Sequence, residues 1–310
     1  MSEIGGAAVI GTGTMGPGMG AVLERAGIRV ALYDVSDEAL EKARAGVELA
    51  RGVLERLGTE QNGGGDIRFE TDLAASLEGA DFVLEAIPEK LELKQDVFAD
   101  IEQHVADDAV LSSNTSGIPI TKIAEKLEHP ERVIGMHWSN PPHLIPMIEV
   151  IPGERTNEGT IAAAQGLIER IGYRASQLNK EVPGFVENRV LYAIMRECLA
   201  LVDEGVIDAE ELDLNVKWGI GYKLAVIPPM QLLDVAGLDI YESVANYLNS
   251  DLSTESGVSE TITKLTQQGK LGIKAGGGLF EYSQDELAEL PAKRAAALVA
   301  VRKTLDAQDV

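Results

Sequence analysis

Short apolar runs alternate with amphipathic helical stretches through the first half of the chain. Ala7-Ala8-Val9-Ile10 is one such run, followed by a glycine cluster and then helical spacing from Met15 to Ala26. Val30-Ala31-Leu32-Tyr33 reads as a second strand, and Glu38 to Leu57 as a long helix with its charges on one side. After the flexible loop Asn62-Gly63-Gly64-Gly65-Asp66 the strand pattern resumes at Ile67. Asp81 to Glu85 and Ala109 to Ser112 predict further buried strands, with a helix from Leu91 to His104 between them. Val133 to Met136 and Met147 to Ile151 predict two more, separated by a proline-rich turn. Strands that alternate with helices imply a mainly parallel sheet covered on both faces.

The second half has a different period. Strand signals stop around Val182-Pro183-Gly184, and apolar helical faces follow at Phe185 to Glu204, Ala209 to Trp218 and Leu232 to Leu248. Pro228-Pro229 interrupts this series because proline offers no backbone donor. A glycine-rich excursion over 272–278 precedes a last helix, Asp285 to Asp306, and there is no internal repeat. The pattern divides the chain into an α/β domain, 1–183, and an all-helical domain, 184–310.

Composition narrows the function. The 310 residues carry 27 basic and 50 acidic side chains, a formal charge of −23. Such a surface repels polyphosphate and anionic lipid, so neither nucleic acid nor a membrane surface is an expected partner. Hydrophobic residues make up 45% of the chain, enough for a core despite the charge. A single cysteine, Cys198, excludes an internal disulfide framework and a cysteine-based zinc cluster, and no metal site is expected. It lies in the apolar stretch Leu191 to Leu199 without a basic cluster to activate it, which reads as an inert thiol. No apolar run approaches the roughly 20 residues of a membrane span, and Met-Ser-Glu-Ile lacks the basic start of a signal peptide; a cytoplasmic protein is expected. The acidity fits solubility or adaptation to a salt-rich cytoplasm.

The first strand runs into Gly11-Thr12-Gly13-Thr14-Met15-Gly16, a G-x-G-x-x-G on a strand-to-helix turn. Gly11 permits the tight turn, Gly13 lets a pyrophosphate approach the backbone, and Gly16 lets helix and strand pack closely. Freed amides and the helix dipole then hold the phosphates. Asp34 ends the second strand, where its carboxylate accepts from an adenosine ribose 2′-hydroxyl and repels a 2′-phosphate. The motif in this setting predicts a Rossmann-type doubly wound domain that binds NAD rather than NADP.

Several stretches beyond the glycine turn converge. Leu84-Glu85-Ala86-Ile87-Pro88-Glu89, Ser113-Asn114-Thr115-Ser116, Gly135-Met136-His137-Trp138-Ser139-Asn140-Pro141, Ile148-Glu149-Val150-Ile151 and Pro183-Gly184-Phe185-Val186-Glu187-Asn188-Arg189 come in order. Together they resemble the 3-hydroxyacyl-CoA dehydrogenase family, from Gly11 through Lys274. The resemblance implies that His137 is the catalytic histidine and Glu149 the carboxylate that orients it. It implies that Ser116 and Asn188 hydrogen-bond the substrate oxygen and the reacting centre. Glu89, Lys94 and Asn114 match cofactor contacts, and Lys274 another near the nicotinamide. With Gly11, Gly13, Thr14, Met15, Gly16, Asp34 and Asn140 they complete the expected NAD set. Homodimerisation through the helical domain is likewise a family expectation.

The residue chemistry agrees with this. Oxidising an alcohol needs a base for the hydroxyl proton, and histidine titrates near neutrality. A carboxylate on one ring nitrogen fixes the tautomer and stabilises the imidazolium. Donors such as Ser116 and Asn188 steady the developing oxyanion. His104, in an acidic helix end, and His129, in a His-Pro turn, read as structural.

The acyl-CoA pattern is incomplete. The family's serine and lysine for CoA, on the helix after the second strand, fall by an ungapped count on Ala50 and Leu57. Nearby Arg51 and Arg56 are offset by Glu48 and Glu55, and the usual aromatic pair after the histidine is replaced by Trp138-Ser139. His143, in the following turn, either meets an anionic substrate or faces solvent. These departures resemble a branch of the family that acts on free acids. A small carboxylate-bearing alcohol or aldehyde, such as a pyridine carboxylate, is the expected substrate. On an aldehyde the resemblance implies that water adds with His137 as base and the resulting alkoxide delivers hydride. A true (S)-3-hydroxyacyl-CoA (3-hydroxybutyryl-CoA) dehydrogenase is the alternative, and a non-enzymatic NAD-binding protein a further one. The β-hydroxyacid dehydrogenases share a Gly-x-Gly-x-Met-Gly opening but depend on a helical lysine, whereas Ser116, His137, Glu149 and Asn188 point elsewhere.

Overall fold

The computed structural model describes residues 4–308. Eight strands form one sheet: β1 (Gly6–Ile10), β2 (Arg29–Tyr33), β3 (Asp66–Glu70), β4 (Phe82–Glu85), β5 (Val110–Ser113), β6 (Val133–Trp138), β7 (Met147–Pro152) and β8 (Arg174–Gln177). Their spatial order is β3-β2-β1-β4-β5-β6-β7-β8. Every neighbouring pair is parallel except β6 and β7. The order reverses between β1 and β4, the place where open α/β sheets bind ligands beyond their carboxyl ends. The doubly wound, mainly parallel sheet expected from the pattern is therefore what forms.

Strand residues alternate between two cores. Ala7 and Val9 of β1 join Phe82, Leu84, Ile134, Met136 and Trp138 on one face. That face is covered by α1 (Gly16–Arg25), α2 (Asp37–Leu57) and, further on, the helix Glu158–Arg170. Ala8 and Ile10 join Val83, Leu111, Val133 and Ile151 on the other, under α3 (Leu73–Leu77), α4 (Leu91–Glu102) and α5 (Ile120–Ile123). Helix α2 is closed at both ends: the Ser36 hydroxyl accepts from Ala39 N, and Gly58 adopts φ +76 after the last turn.

Besides the short helices α3 and α5, the strand β8 and a longer helix have no counterpart in the sequence pattern. The strand β8 reads Arg-Ala-Ser-Gln and is mostly exposed; its pairing with Met147–Val150 makes it a strand, not its own polarity. Helix α6 (Glu158–Arg170) buries a narrow stripe of Ala163, Ala164, Leu167 and Ile168. Alanine in two of those positions makes the apolar period faint.

The chain resolves into two compact units, 1–188 and 189–310. Helix α7 (Glu187–Asp203) runs from the first into the second. The second unit continues with α8 (Ala209–Asn215), a π turn over 216–221, α9 (Tyr222–Leu224), α10 (Pro229–Ala236), α11 (Leu238–Leu248), α12 (Glu260–Gln267) and α13 (Gln284–Gln308). The expected helix from Leu232 to Leu248 is two helices, because Gly237 sits between them at φ +97. Among the described residues no helix is long and apolar enough to cross a membrane.

Candidate active site

The glycine turn lies at the end of β1. Gly11 has φ +105 and donates to Tyr33 O at 2.8 Å, which ties the turn to β2. A Cβ on Gly16 would stand 2.2 Å from Gly11 O, so only glycine lets α1 start this close to the strand. A Cβ on Gly13 would meet nothing within 4 Å, and Thr14 beside it is exposed. Asp34 Oδ2 accepts from Thr12 N at 2.9 Å and from Thr12 Oγ1 at 2.8 Å. Open backbone at a helix N-terminus with a carboxylate anchored beside it fits a dinucleotide with a free 2′-hydroxyl.

The hairpin of β6 and β7 makes the second part of the site. Its antiparallel register pairs His137 directly with Glu149, so both side chains leave the sheet on the same face. His137 Nδ1 and Glu149 Oε2 are 2.8 Å apart, and both residues are buried. Glu149 Oε1 accepts from Val186 N at 2.8 Å and Glu187 N at 3.0 Å, at the start of α7. Burial alone would raise the Glu149 carboxyl, but the His137 bond, the two backbone donors and the imidazole charge together hold it below its usual value. The backbone that aims those donors is bent sharply: Gly184 has φ +77 and Phe185 φ +50. Left-handed geometry costs a residue with a side chain about 1–2 kcal/mol. Phe185 is fully buried, and its ring lies 5.7 Å from that of His137.

Around this pair stand residues without an assigned role in the sequence reading. The Ser139 hydroxyl donates to Glu187 Oε2. One ring nitrogen of His137 and one oxygen each of Glu149 and Glu187 all lie within 4.8 Å of one another. Asn188 Nδ2 donates to Ser116 O at 3.2 Å, which brings the two expected oxygen-holding residues together. Asn114 Oδ1 accepts from Trp138 N at 2.8 Å and so fixes the chain next to His137. Asn140 is exposed at the end of the hairpin strand.

Glu89 and Lys94 belong to a buried charge network. Lys94 Nζ lies 2.7 Å from Glu85 Oε1 and 3.3 Å from Glu89 Oε2, and Lys94 and Glu85 are both almost fully buried. Glu85 also accepts from Ile87 N at 2.7 Å and Ser113 Oγ at 2.6 Å. Burial pushes its carboxyl up, against the pull of Lys94, Ser113 and the Ile87 amide. Glu89 Oε1 accepts from Thr115 Oγ1 at 2.5 Å and Ser116 N at 3.0 Å. The network therefore connects the buried Glu85–Lys94 pair to Ser116 through Glu89. A glutamate ending an apolar strand run, as Glu85 does, is the one sequence signal that points to it.

The surroundings of five further positions bear on their expected roles. His143 does not face solvent as a charged group: its Nδ1 is buried with no hydrogen-bond partner among the described residues. Burial lowers its pKa, so at neutral pH it offers no positive charge to a substrate. It sits against α1, where a Cβ on Gly18 would come within 2.8 Å of His143 Nδ1. Ala50 is fully buried and Leu57 packs on the same core, so neither faces a ligand. Lys274 is exposed in the second unit, on the short 3-10 turn Ile273–Ala275. Cys198 is inert: burial pushes its thiol up, and Asp213 and Glu197 reinforce that.

The model of the 3-hydroxyacyl-CoA dehydrogenase NAD binding domain matches residues 6–181, and that of the family's C-terminal domain matches 184–282. The chain belongs to the 3-hydroxyacyl-CoA dehydrogenase family. It is an oxidoreductase and its cofactor is NAD. Among its relatives is 5-formyl-3-hydroxy-2-methylpyridine 4-carboxylate 5-dehydrogenase of Mesorhizobium japonicum, 50% identical over 97% of this chain and 98% of that one. The probable 3-hydroxybutyryl-CoA dehydrogenase of Deinococcus radiodurans is 34% identical over 88% and 99% of the two chains. A crystal structure of the pyridine carboxylate dehydrogenase, described as an NAD+ dependent dismutase, superposes with a TM-score of 0.95 at 50% identity, covering 98% of this chain and 99% of that one. The (S)-3-hydroxybutyryl-CoA dehydrogenase of Ralstonia eutropha gives 0.72 at 29% identity, over 91% and 100%.

Two outcomes test this dehydrogenase's site electrostatics. Replacing Lys94 by Met strands the Glu85 charge and should cost about 3–5 kcal/mol in urea unfolding, most of it recovered when Glu85→Gln is added. His143 bears on pH. The unfolded chain takes a proton near an ordinary histidine pKa of about 6.5, whereas the folded chain resists until lower pH, so stability falls as pH drops through that window. His143→Leu should therefore show a smaller loss of Tm between about pH 7.5 and 5.5 than the unaltered protein.

Proposed function

We propose that this dehydrogenase oxidises a small carboxylate-bearing aldehyde, with a pyridine carboxylate as the best-supported substrate class. The observation that carries the chemistry is the His137–Glu149 pair. With Nδ1 engaged by Glu149 at 2.8 Å, Nε2 is the nitrogen that takes the substrate's hydroxyl proton. Glu149, fixed by Val186 N and Glu187 N, orients the ring and stabilises the imidazolium. Ser116 and Asn188 hold the substrate oxygen. NAD, when bound, supplies the hydride acceptor. The residues of the first unit that hold it are Gly11, Gly13, Thr14, Met15, Gly16, Asp34, Glu89, Asn114 and Asn140. Lys94 acts in this set by holding Glu89, since its ammonium is enclosed by Glu85, Glu89 and Ile87 O.

Paired cations support a free acid over a CoA thioester. CoA carries several phosphate charges and needs basic side chains that are available. On α2, Arg51 is shared between Glu24 and Glu48, Lys42 lies 2.7 Å from Glu38, and Arg44 lies 3.1 Å from Glu41, which leaves the exposed Arg56 of the last turn outside these pairs. The 50% identity to the pyridine carboxylate enzyme supports the same reading, and with it a dismutation in which one aldehyde is oxidised and a second reduced. An inert Cys198 agrees with a route that forms no thiohemiacetal.

We also propose a homodimer built on the helical unit. None of the residues in α7 through α12 is buried, and Trp218, Tyr222, Met230, Val235 and Tyr247 are each more than 60% exposed. So much uncovered apolar surface fits burial against a second copy.

The decisive assay follows loss of 5-formyl-3-hydroxy-2-methylpyridine 4-carboxylate and appearance of its acid and alcohol products with NAD present, with acetoacetyl-CoA and NADH in parallel. The expected result is turnover of the free acid alone, lost by several orders of magnitude in His137→Ala while NAD still binds. Robust turnover of the thioester would sink the free-acid reading in favour of an acyl-CoA dehydrogenase. Light scattering on an eluted peak should give twice the monomer mass, and a monomer would remove the dimer.

A further inference from the structure

Aldehyde oxidation and alcohol oxidation differ in their proton balance. An alcohol gives up one hydride and one proton. An aldehyde with water gives up one hydride and two protons on its way to a carboxylate. A single imidazole holds one of these at a time. The site contains a second group able to hold the other.

Glu187 is half-buried beside the dyad, with a carboxylate oxygen within 4.8 Å of both a His137 nitrogen and a Glu149 oxygen. That closeness puts the carboxylate within reach of a water or substrate oxygen bound beside the imidazole. The carboxylate is also held in place. Ser139 is buried at 3% exposure, and its hydroxyl has one proton, which it donates to Glu187 Oε2. Glu149 cannot play this part, because its two oxygens are committed to His137 and to two backbone amides. Glu187 N supplies one of those amides, so the same residue steadies the dyad through its backbone and presents a base through its side chain.

Resting on the aldehyde reading above, we propose that Glu187 is a catalytic base that hydrates the aldehyde, so the site is a hydratase as well as a dehydrogenase. Glu187 Oε1 takes a proton from water as the water oxygen bonds to the carbonyl carbon. The carbonyl π pair moves to its oxygen, which Ser116 and Asn188 hold as the hydrate anion. Returning the proton to that oxygen gives the neutral hydrate, and retaining it leaves the anion ready for oxidation. No oxidant enters this step. His137 stays neutral through it, available for the proton released later.

Because hydration needs no cofactor, it can be read without turnover. The protein, free of NAD, is mixed with 5-formyl-3-hydroxy-2-methylpyridine 4-carboxylate in oxygen-18 water, and label entering the aldehyde is followed by mass spectrometry. The unaltered protein should accelerate exchange over buffer, and Glu187→Gln should lower that acceleration by about 10²-fold, the usual worth of a general base. Glu187→Asp should retain part of it. Ser139→Ala leaves the start of α7 intact and frees the carboxylate, so it should fall between the two. Exchange by Glu187→Gln at the unaltered rate, with its circular dichroism spectrum preserved, would overturn the proposal. So would exchange by the unaltered protein no faster than buffer. In either case conversion of the same aldehyde to acid and alcohol products with NAD present still reports separately on the substrate reading.

Discussion

A slip of one residue between β6 and β7 would turn every side chain of that hairpin to the opposite face of the sheet. His137 would then enter the core beneath α1 and α6, and Met136 or Trp138 would take its place opposite Phe185. The observed register excludes this by burying Met136, Trp138, Ile148 and Val150 in one core while His137 and Glu149 leave on the other side. The hydrophobic effect, acting on four neighbours, thus sets the position of two polar residues. Everything on the reacting side follows from it: the 2.8 Å bond, the amides of Val186 and Glu187 on the free oxygen, and the Phe185 ring against the imidazole.

The polar interior is arranged in closed sets. Glu149 engages both of its oxygens, one with an imidazole and the other with two amides. Glu85, fully buried, is surrounded by an ammonium, a hydroxyl and an amide. Buried charges of this sort add little net stability over apolar packing, yet they exclude alternative arrangements strongly because any one left unpartnered is costly. The Lys94 network is the clearest case, since Glu89 ties the buried Lys94–Glu85 pair to the backbone of Ser116.

Periodicity was sufficient for the strands with one or two apolar faces, β1 through β7, and for the long helices α1, α2, α4 and α7. It failed where another element supplies the ordering. The β8 segment Arg-Ala-Ser-Gln is a strand only because β7 offers it a ladder. Gly237 splits an apolar run through its backbone angle, which leaves no trace in polarity. At the site, the glycine turn, Asp34, His137 and Glu149 were legible because their residue types and spacing carry the chemistry. Glu187 and Ser139 were not, because their partnership spans 48 positions and depends on the bend at Phe185. His143 was open between two roles until its contact with Gly18 placed it inside.

The strongly negative surface and the phosphate-binding turn coexist because the turn relies on amides, not on lysines. Asp34 shows how tightly that turn is integrated. Its Oδ2 holds Thr12 by both amide and hydroxyl, within the very loop that must accept the pyrophosphate. Under the role proposed for Asp34, the side chain that turns away a 2′-phosphate is also a strut of the glycine loop. Cofactor preference and loop shape would then be a single inherited trait: any change at position 34 also releases Thr12, so a conversion to NADP would need a second substitution to rebuild the loop's support.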